Sequence, residues 1–167
     1  MRRVVIAAAV VACHHSATPS AASSFSSPAA GPVAGADTLR GIVAITGATP
    51  LTHLVLRPAG GGPAVPLSGD SAAAMRALSG LDVWVQGTAG ATSFAVTRFR
   101  VRAAGGVPAV DGTLAVNGGA VVLITDDGAR HALTAAPPEF ASHPGARAWV
   151  TLAADQTVIT FGLLPSP

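Results

Sequence analysis

The chain has 167 residues, of which 50% are hydrophobic and 11% are charged, with a single Cys and a formal net charge of +2. All ten basic residues are Arg, and outside Arg2 and Arg3 eight Arg face eight acidic residues. Nucleic-acid binding needs clustered positive charge to replace phosphate counterions, so this balance argues against nucleic acid as a partner. A single Cys leaves no disulfide within the chain and no thiolate metal site.

The first twelve residues have the pattern of an export signal. Arg2 and Arg3 form a positively charged start, and Val4 to Ala12 is an unbroken apolar run. Crossing a bilayer takes roughly 20 apolar residues, so this run is too short for a transmembrane helix. It fits the apolar region of a secretory signal, for which about 7–15 residues are usual. We therefore expect residues 1–12 to be a signal peptide.

The end of this run, Val10-Val11-Ala12-Cys13, resembles the lipobox of bacterial lipoproteins. The resemblance implies that the signal is removed before Cys13 and that the thiol of Cys13 is the lipidation site, carrying a diacylglycerol that anchors the protein in a membrane. No acidic residue directly follows Cys13. In enterobacterial lipoproteins this implies the outer membrane, facing the periplasm or the exterior, and the cytoplasmic membrane is the alternative. A conventionally cleaved signal and a cytoplasmic start remain the alternatives.

Residues 13–36 have the composition of a linker. After Cys13 and two His they consist almost entirely of Ser, Ala, Pro and Gly, and Phe25 and Val33 are their only sizeable apolar side chains. Such a segment cannot bury enough surface to offset the entropy of ordering. We expect a flexible, lipid-anchored linker that holds the folded part away from the membrane.

From Asp37 onward, short β-branched and aliphatic runs alternate with Gly, Pro and Asp breaks, which predicts an all-β fold with one or two short helices. The pattern repeats: three strands, a short helical or turn segment, then two strands. In the first copy the strands are 40–46, 53–58, 64–69, 81–87 and 93–101, with the helical segment at 71–80. In the second they are 111–117, 120–128, 129–134, 146–152 and 156–164, with a turn at 138–145.

Matching residues in the two copies indicate an internal duplication. The pairs are Gly41 and Gly112, Leu67 and Leu133, Trp84 and Trp149, and Phe99 and Phe161. We therefore predict two repeats, at 37–104 and 105–167. Trp84 and Trp149 are the largest candidates for the core. Strand alternation decides which of the residues near them in sequence also point inward. These residues are Phe99, Phe161, Val83, Val85, Val150 and Leu152.

This order of elements resembles the OB-fold, a five-stranded Greek-key barrel. The segment LDVWVQG (81–87) is similar to the fourth strand of small bacterial OB-like domains, and TDDGARHAL (125–133) to their second hairpin. The resemblance implies tandem small OB-like barrels. A single β-sandwich or one fused barrel is the alternative. Because OB-folds carry many functions, the resemblance implies architecture only.

No sequence motif points to catalysis. The segment from residue 37 onward contains His53, His131 and His143, but no nucleophile elbow, zinc-protease motif, phosphate loop or dinucleotide fingerprint. We expect no metal and no cofactor. The favoured hypothesis is a lipid-anchored, non-enzymatic binding or interaction module of the cell envelope. An envelope enzyme using a His and Asp site, and a purely structural envelope protein, are the alternatives, and the oligomeric state is left open.

One stretch suggests a contact surface. In the segment TRFRVR (97–102), alternation places Arg98, Arg100 and Arg102 on one side of a strand, with Phe99 and Val101 on the other. Such a row of guanidinium groups suits an anionic ligand or an envelope protein with an acidic surface. Charges along a strand also protect a solvated edge from aggregation, which is the alternative. We expect Arg57 to lie near the row.

Overall fold

In the computed structural model the described residues are 37–165, and the predicted signal peptide, Cys13 and the linker lie outside them. Residues 37–104 form five strands with a short helix and a 3₁₀ turn between the third and fourth. These elements are β1 (Asp37–Ala48), β2 (Leu51–Pro58), β3 (Val65–Ser68), α1 (Asp70–Ala74), the 3₁₀ turn Met75–Leu78, β4 (Asp82–Ala89) and β5 (Phe94–Ala104).

The following residues repeat this order of elements. They are β6 (Val107–Asn117), β7 (Ala120–Thr125), β8 (Arg130–Ala132), α2 (Pro138–Ser142), β9 (Arg147–Leu152) and β10 (Val158–Leu164). The all-β class with two short helices is confirmed. Neither α1 nor α2 is long and apolar enough to cross a membrane.

The first five strands pair in a ring. β1 lies between β2 and β4, β2 pairs with β3, and β4 pairs with β5, all antiparallel. The ring closes through a short parallel pairing of β3 with β5, at Leu67 opposite Phe94 and Ser68 opposite Ala95. The β-branched and aliphatic side chains that point into this ring form its core.

The second five strands repeat the pairing, but with a weaker closure. β6 lies between β7 and β9, β7 pairs with β8, and β9 pairs with β10. Here the ring closes only through an isolated parallel bridge between Thr134 and Thr157. The hairpin from β5 to β6 joins all ten strands into one sheet, so the arrangement is not a clean barrel.

Local irregularities recur at matching places in the two halves. An added Cβ on Gly41 would lie 2.0 Å from the Arg57 carbonyl oxygen, and one on Gly112 would lie 2.4 Å from that of Ile124. A β-bulge falls at Thr97 in β5 and at Ile159 in β10. These correspondences support the predicted duplication. Residues 37–165 belong to one compact unit, and the division into repeats stays a prediction.

The buried side chains form two clusters. The first fills the 37–104 ring and includes Val83, Val85 and Phe99, and the second is centred on Phe140, Leu114 and Val150. Trp149 and Leu164 come from the second half but pack in the first cluster, so the two halves share a core.

Three of the expected core residues are not fully buried. Trp84 and Leu152 are half-buried, and 37% of Phe161 is exposed. Phe161 packs edge-to-face on Phe140 at 5.1 Å between ring centroids. Its exposure follows from the weak closure, because little of β8 faces β10 beyond the bridge at Thr134.

Candidate functional site: an arginine-rich sheet face

The strand β5 presents three arginines on the outer side of the sheet. Phe99 and Val101 are buried, whereas Arg98 and Arg102 are exposed and Arg100 is half-buried. The alternation inferred from the sequence is therefore present. The apolar side chains hold the strand against the core, and this packing fixes the direction in which the guanidinium groups point.

Strand register brings further charged residues to the same face. Ile42 of β1 lies opposite both Arg57 of β2 and Asp82 of β4. Asp82 in turn lies opposite Ala103, next to Arg102. Cross-strand neighbours share a face, which places Arg57 and Asp82 together. A β-bulge leaves Arg102 without a partner on β4, and Arg102 lines the same outer groove as Arg57 and Asp82.

The next row across the sheet has an aromatic residue at its centre. Trp84 of β4 lies opposite Arg40 of β1 on one side and Arg100 of β5 on the other. Sequence reasoning missed Arg40 and assigned Trp84 to the core. We define the arginine face as the outer surface of β2, β1, β4 and β5 that bears Arg40, Arg57, Arg98, Arg100 and Arg102 around Trp84.

Two aspartates pair with part of this face. Arg40 donates from Nε and Nη2 to the two carboxylate oxygens of Asp82, at 3.3 and 2.7 Å, and this hydrogen bonding raises the pKa of Arg40. Asp126, in the turn after β7, accepts from Arg100 at 3.0 and 2.6 Å and lies 3.3 Å from Arg98. Five arginines against two aspartates leave the face positively charged.

Arg57 and Arg102 are the unpaired cations of the face. Within the described range neither makes an ion pair or a side-chain hydrogen bond, and both are exposed. They line a groove of about 670 Å³ together with the paired Arg40 and Asp82 and the tight turn at Gly105. A guanidinium presents planar donors that match carboxylate and phosphate oxygens. The groove can therefore hold an anionic group chemically.

The ion pair of Arg147 with Asp111 lies within the second half and contacts the backbone of β5, and sequence reasoning did not identify it. Arg147 donates to Asp111 through Nε at 2.9 Å and Nη2 at 2.8 Å, and Asp111 also accepts from the Val101 N–H at 2.8 Å. Arg147 donates to the Phe99 carbonyl as well, and its guanidinium lies 4.6 Å from the Phe99 ring centroid. Burial raises the pKa of Asp111, outweighing the hydrogen bonds from Arg147 and Val101.

The three His considered for catalysis do not meet an acidic side chain in the described part of the chain. His143 Nδ1 lies 2.7 Å from the Glu139 carbonyl oxygen, and His131 Nδ1 lies 3.4 Å from Gln156 Oε1. His53 is exposed on β2. Residues 37–165 contain no group of three or more His, Cys, Asp or Glu that could hold a metal ion. No observation there favours a His and Asp enzyme.

Comparison with family models, with curated proteins and with solved structures finds no match to this chain. The arginine face is therefore interpreted from its geometry and charge alone.

Proposed function

We propose that the protein is a lipid-anchored, non-enzymatic binding module of the bacterial cell envelope, and that its arginine face binds an anionic ligand or partner. The proposal of anion binding rests on the groove beside Arg57 and Arg102. The exposed guanidinium groups of these two residues have no acidic partner within residues 37–165. The lipobox at Cys13 supports the anchoring part.

The arginine face combines the two residue types that dominate binding energy at interfaces. Trp and Arg are enriched at interface hot spots, because an aromatic side chain supplies apolar area and Arg supplies directed hydrogen bonds. Trp84 lies between Arg40 and Arg100, and Arg57 and Arg102 line the neighbouring groove. A partner with an anionic group next to an apolar patch would engage both. Anchoring at a surface would raise the local concentration of such a partner without further contacts.

Binding is tested by titrating the purified full chain with inorganic phosphate and, separately, with a poly-glutamate peptide, followed by calorimetry. The double variant Arg57→Gln with Arg102→Gln should weaken binding by at least about tenfold, or ~1.4 kcal/mol. Arg130→Gln is the matched control, since Arg130 is also exposed but lies on β8 and does not line the groove. If the wild-type protein binds neither anion, the protein is better described as a structural envelope component.

Anchoring is tested by mass spectrometry of the protein recovered from the membrane fraction of its host. The expected product begins at Cys13 and carries the added mass of a diacylglycerol. Cys13→Ala should abolish the modification and release the protein from the membrane fraction. An unmodified chain that retains Arg2 would contradict the anchor and leave the binding proposal standing.

A further inference from the structure

We propose that the free edge of β10 pairs antiparallel with β10 of a second copy of this chain. On the side away from β9, the only backbone pairing of this strand among residues 37–165 is the bridge from Thr157 to Thr134. Beyond that bridge, β10 presents an open edge. An open edge is a template for another strand, and proteins usually cover or protect it.

The corresponding edge in the first half, that of β5, is covered by side chains of the second half. There the Phe99 carbonyl accepts from Arg147 and the Val101 N–H donates to Asp111. Both backbone groups point away from β4, towards the second half of the chain. Two side chains from the second half thus satisfy the edge that would otherwise be open.

The matching backbone groups in β10 have no such cover. Phe161 lies opposite Val150 as Phe99 lies opposite Val85, and Leu163 occupies the place that Val101 has in β5. By this correspondence the Phe161 carbonyl and the Leu163 N–H point away from β9. No described side chain hydrogen-bonds to either group. Their pairing requires a partner strand.

The side chains of β10 do not protect the edge. The strand VITFGLL (158–164) has no charged residue, and its exposed apolar side chains include Ile159 (60% exposed) and Phe161 (37% exposed). The strand on the other side of the opening, β8, is only three residues long and carries Arg130 and His131. Short length and charge are the usual protections of an edge strand. β10 therefore differs from β8 in being suited to pairing.

The neutral, self-complementary character of β10 points to a second copy as the occupant. In an antiparallel pair, Phe161 opposite Leu163 of the partner subunit exchanges two backbone hydrogen bonds, and the two-fold axis repeats them. Neither strand brings a charge that must be neutralised or desolvated. Pro165, which follows β10, has no N–H to donate and limits the pairing to this segment. The resulting contact is isologous, so it closes at a dimer.

The test is light scattering on the purified full chain over a range of concentrations, with and without Ile159→Lys. We expect a dimer in the wild type and a rise of more than about tenfold in the concentration for half-dissociation in Ile159→Lys. Leu51→Lys is the control, because Leu51 is also an exposed aliphatic residue (74% exposed) but lies on β2. That variant should remain dimeric.

Amide hydrogen exchange locates the contact. The Leu163 amide should be protected in the dimer and exchange rapidly in Ile159→Lys, whereas the Val101 amide, which is bonded to Asp111, should be protected in both. A monomeric wild type would overturn the proposal. So would a dimer in which the Leu163 amide exchanges rapidly, because that dimer would use another surface.

Discussion

Replacing Asp111 by Ala should destabilise the protein much more than replacing Asp82 by Ala. Asp111 pairs with Arg147 and Asp82 pairs with Arg40, and the two pairs lie at matching positions of the two halves. Asp111 lies opposite Trp149, and Arg40 lies opposite the matching Trp84. The pairs differ in burial. The side chains of Asp111 and Arg147 are 6% and 26% exposed, whereas those of Asp82 and Arg40 are 22% and 55% exposed.

The expected magnitude follows from what Asp111→Ala leaves behind. It removes both hydrogen bonds from Arg147 and orphans the Val101 N–H. An orphaned buried donor costs about 1–3 kcal/mol, and breaking a buried ion pair costs about 3–5 kcal/mol. These terms overlap, so we expect a loss of ~4 kcal/mol in the free energy of unfolding. An exposed pair contributes under ~1 kcal/mol, which is the expected loss for Asp82→Ala.

A third variant, Asp111→Leu combined with Arg147→Met, separates the cost of an unpaired charge from the cost of the lost hydrogen bonds. It leaves no buried charge without a partner, but it still orphans the Val101 N–H and removes the donor to the Phe99 carbonyl. We therefore expect a loss of about 1–3 kcal/mol, smaller than the loss in Asp111→Ala. Urea unfolding of the full chain, followed by Trp fluorescence, measures all three variants. Equal losses in Asp111→Ala and Asp82→Ala would refute the reasoning.

Three further outcomes are expected from the same assay. Gly112→Ala should cost more than ~2 kcal/mol, because the added Cβ meets a backbone carbonyl at 2.4 Å, whereas Gly60→Ala, with nothing within 4 Å, should be neutral. Phe140→Ala should cost ~3–5 kcal/mol, since Phe140 is fully buried in the second cluster. The stability of wild type relative to Asp111→Asn should fall as the pH rises above about 4, because the raised pKa of Asp111 makes the folded protein hold that proton more tightly than the unfolded chain.

Features that depend on local alternation could be predicted from the sequence. The period-two pattern around Phe99 placed Arg98, Arg100 and Arg102 on the outer side of β5, and the spacing of breaks gave the order of elements in both halves. The start of α1 has no such local signal. Gly69 occupies its N-cap position, and the hydroxyl of the nearby Ser71 donates to the Thr97 carbonyl instead of capping the helix.

Features that depend on how the halves pack could not be predicted in this way. Trp84 and Trp149 occupy matching strand positions, so the sequence suggests the same environment for both. Trp149 is buried because it packs in the cluster of the first half, whereas Trp84 remains half-buried on the arginine face. The partners Asp111 and Arg147 are separated by 36 positions in the chain, and only the pairing of β6 with β9 brings them together. Such contacts have no local signal.

The two matching ion pairs have their positive and negative members at exchanged positions. This exchange determines whether the β10 edge of another copy could dock on the arginine face. Asp111 accepts from the Val101 N–H of the β5 edge and Arg147 donates to the Phe99 carbonyl. In the first half Arg40 stands in the place of Asp111, and Asp82 in the place of Arg147. If the β10 edge of another copy docked there in the same way, donor would face donor and acceptor would face acceptor.

We expect this mismatch to keep the contact between the halves from being repeated between chains, where it would not close and would produce filaments. The arginine face would then remain accessible to the proposed anionic partners, and the proposed dimer would form through β10. Exchanging the charges with Arg40→Asp and Asp82→Arg should remove the mismatch. We expect the exchanged variant to form species larger than a dimer as its concentration rises, measured by light scattering. Because the exchange leaves the net charge unchanged, the wild-type protein is the matched control. An exchanged variant that stays dimeric at every concentration would show that charge order does not set the mode of assembly.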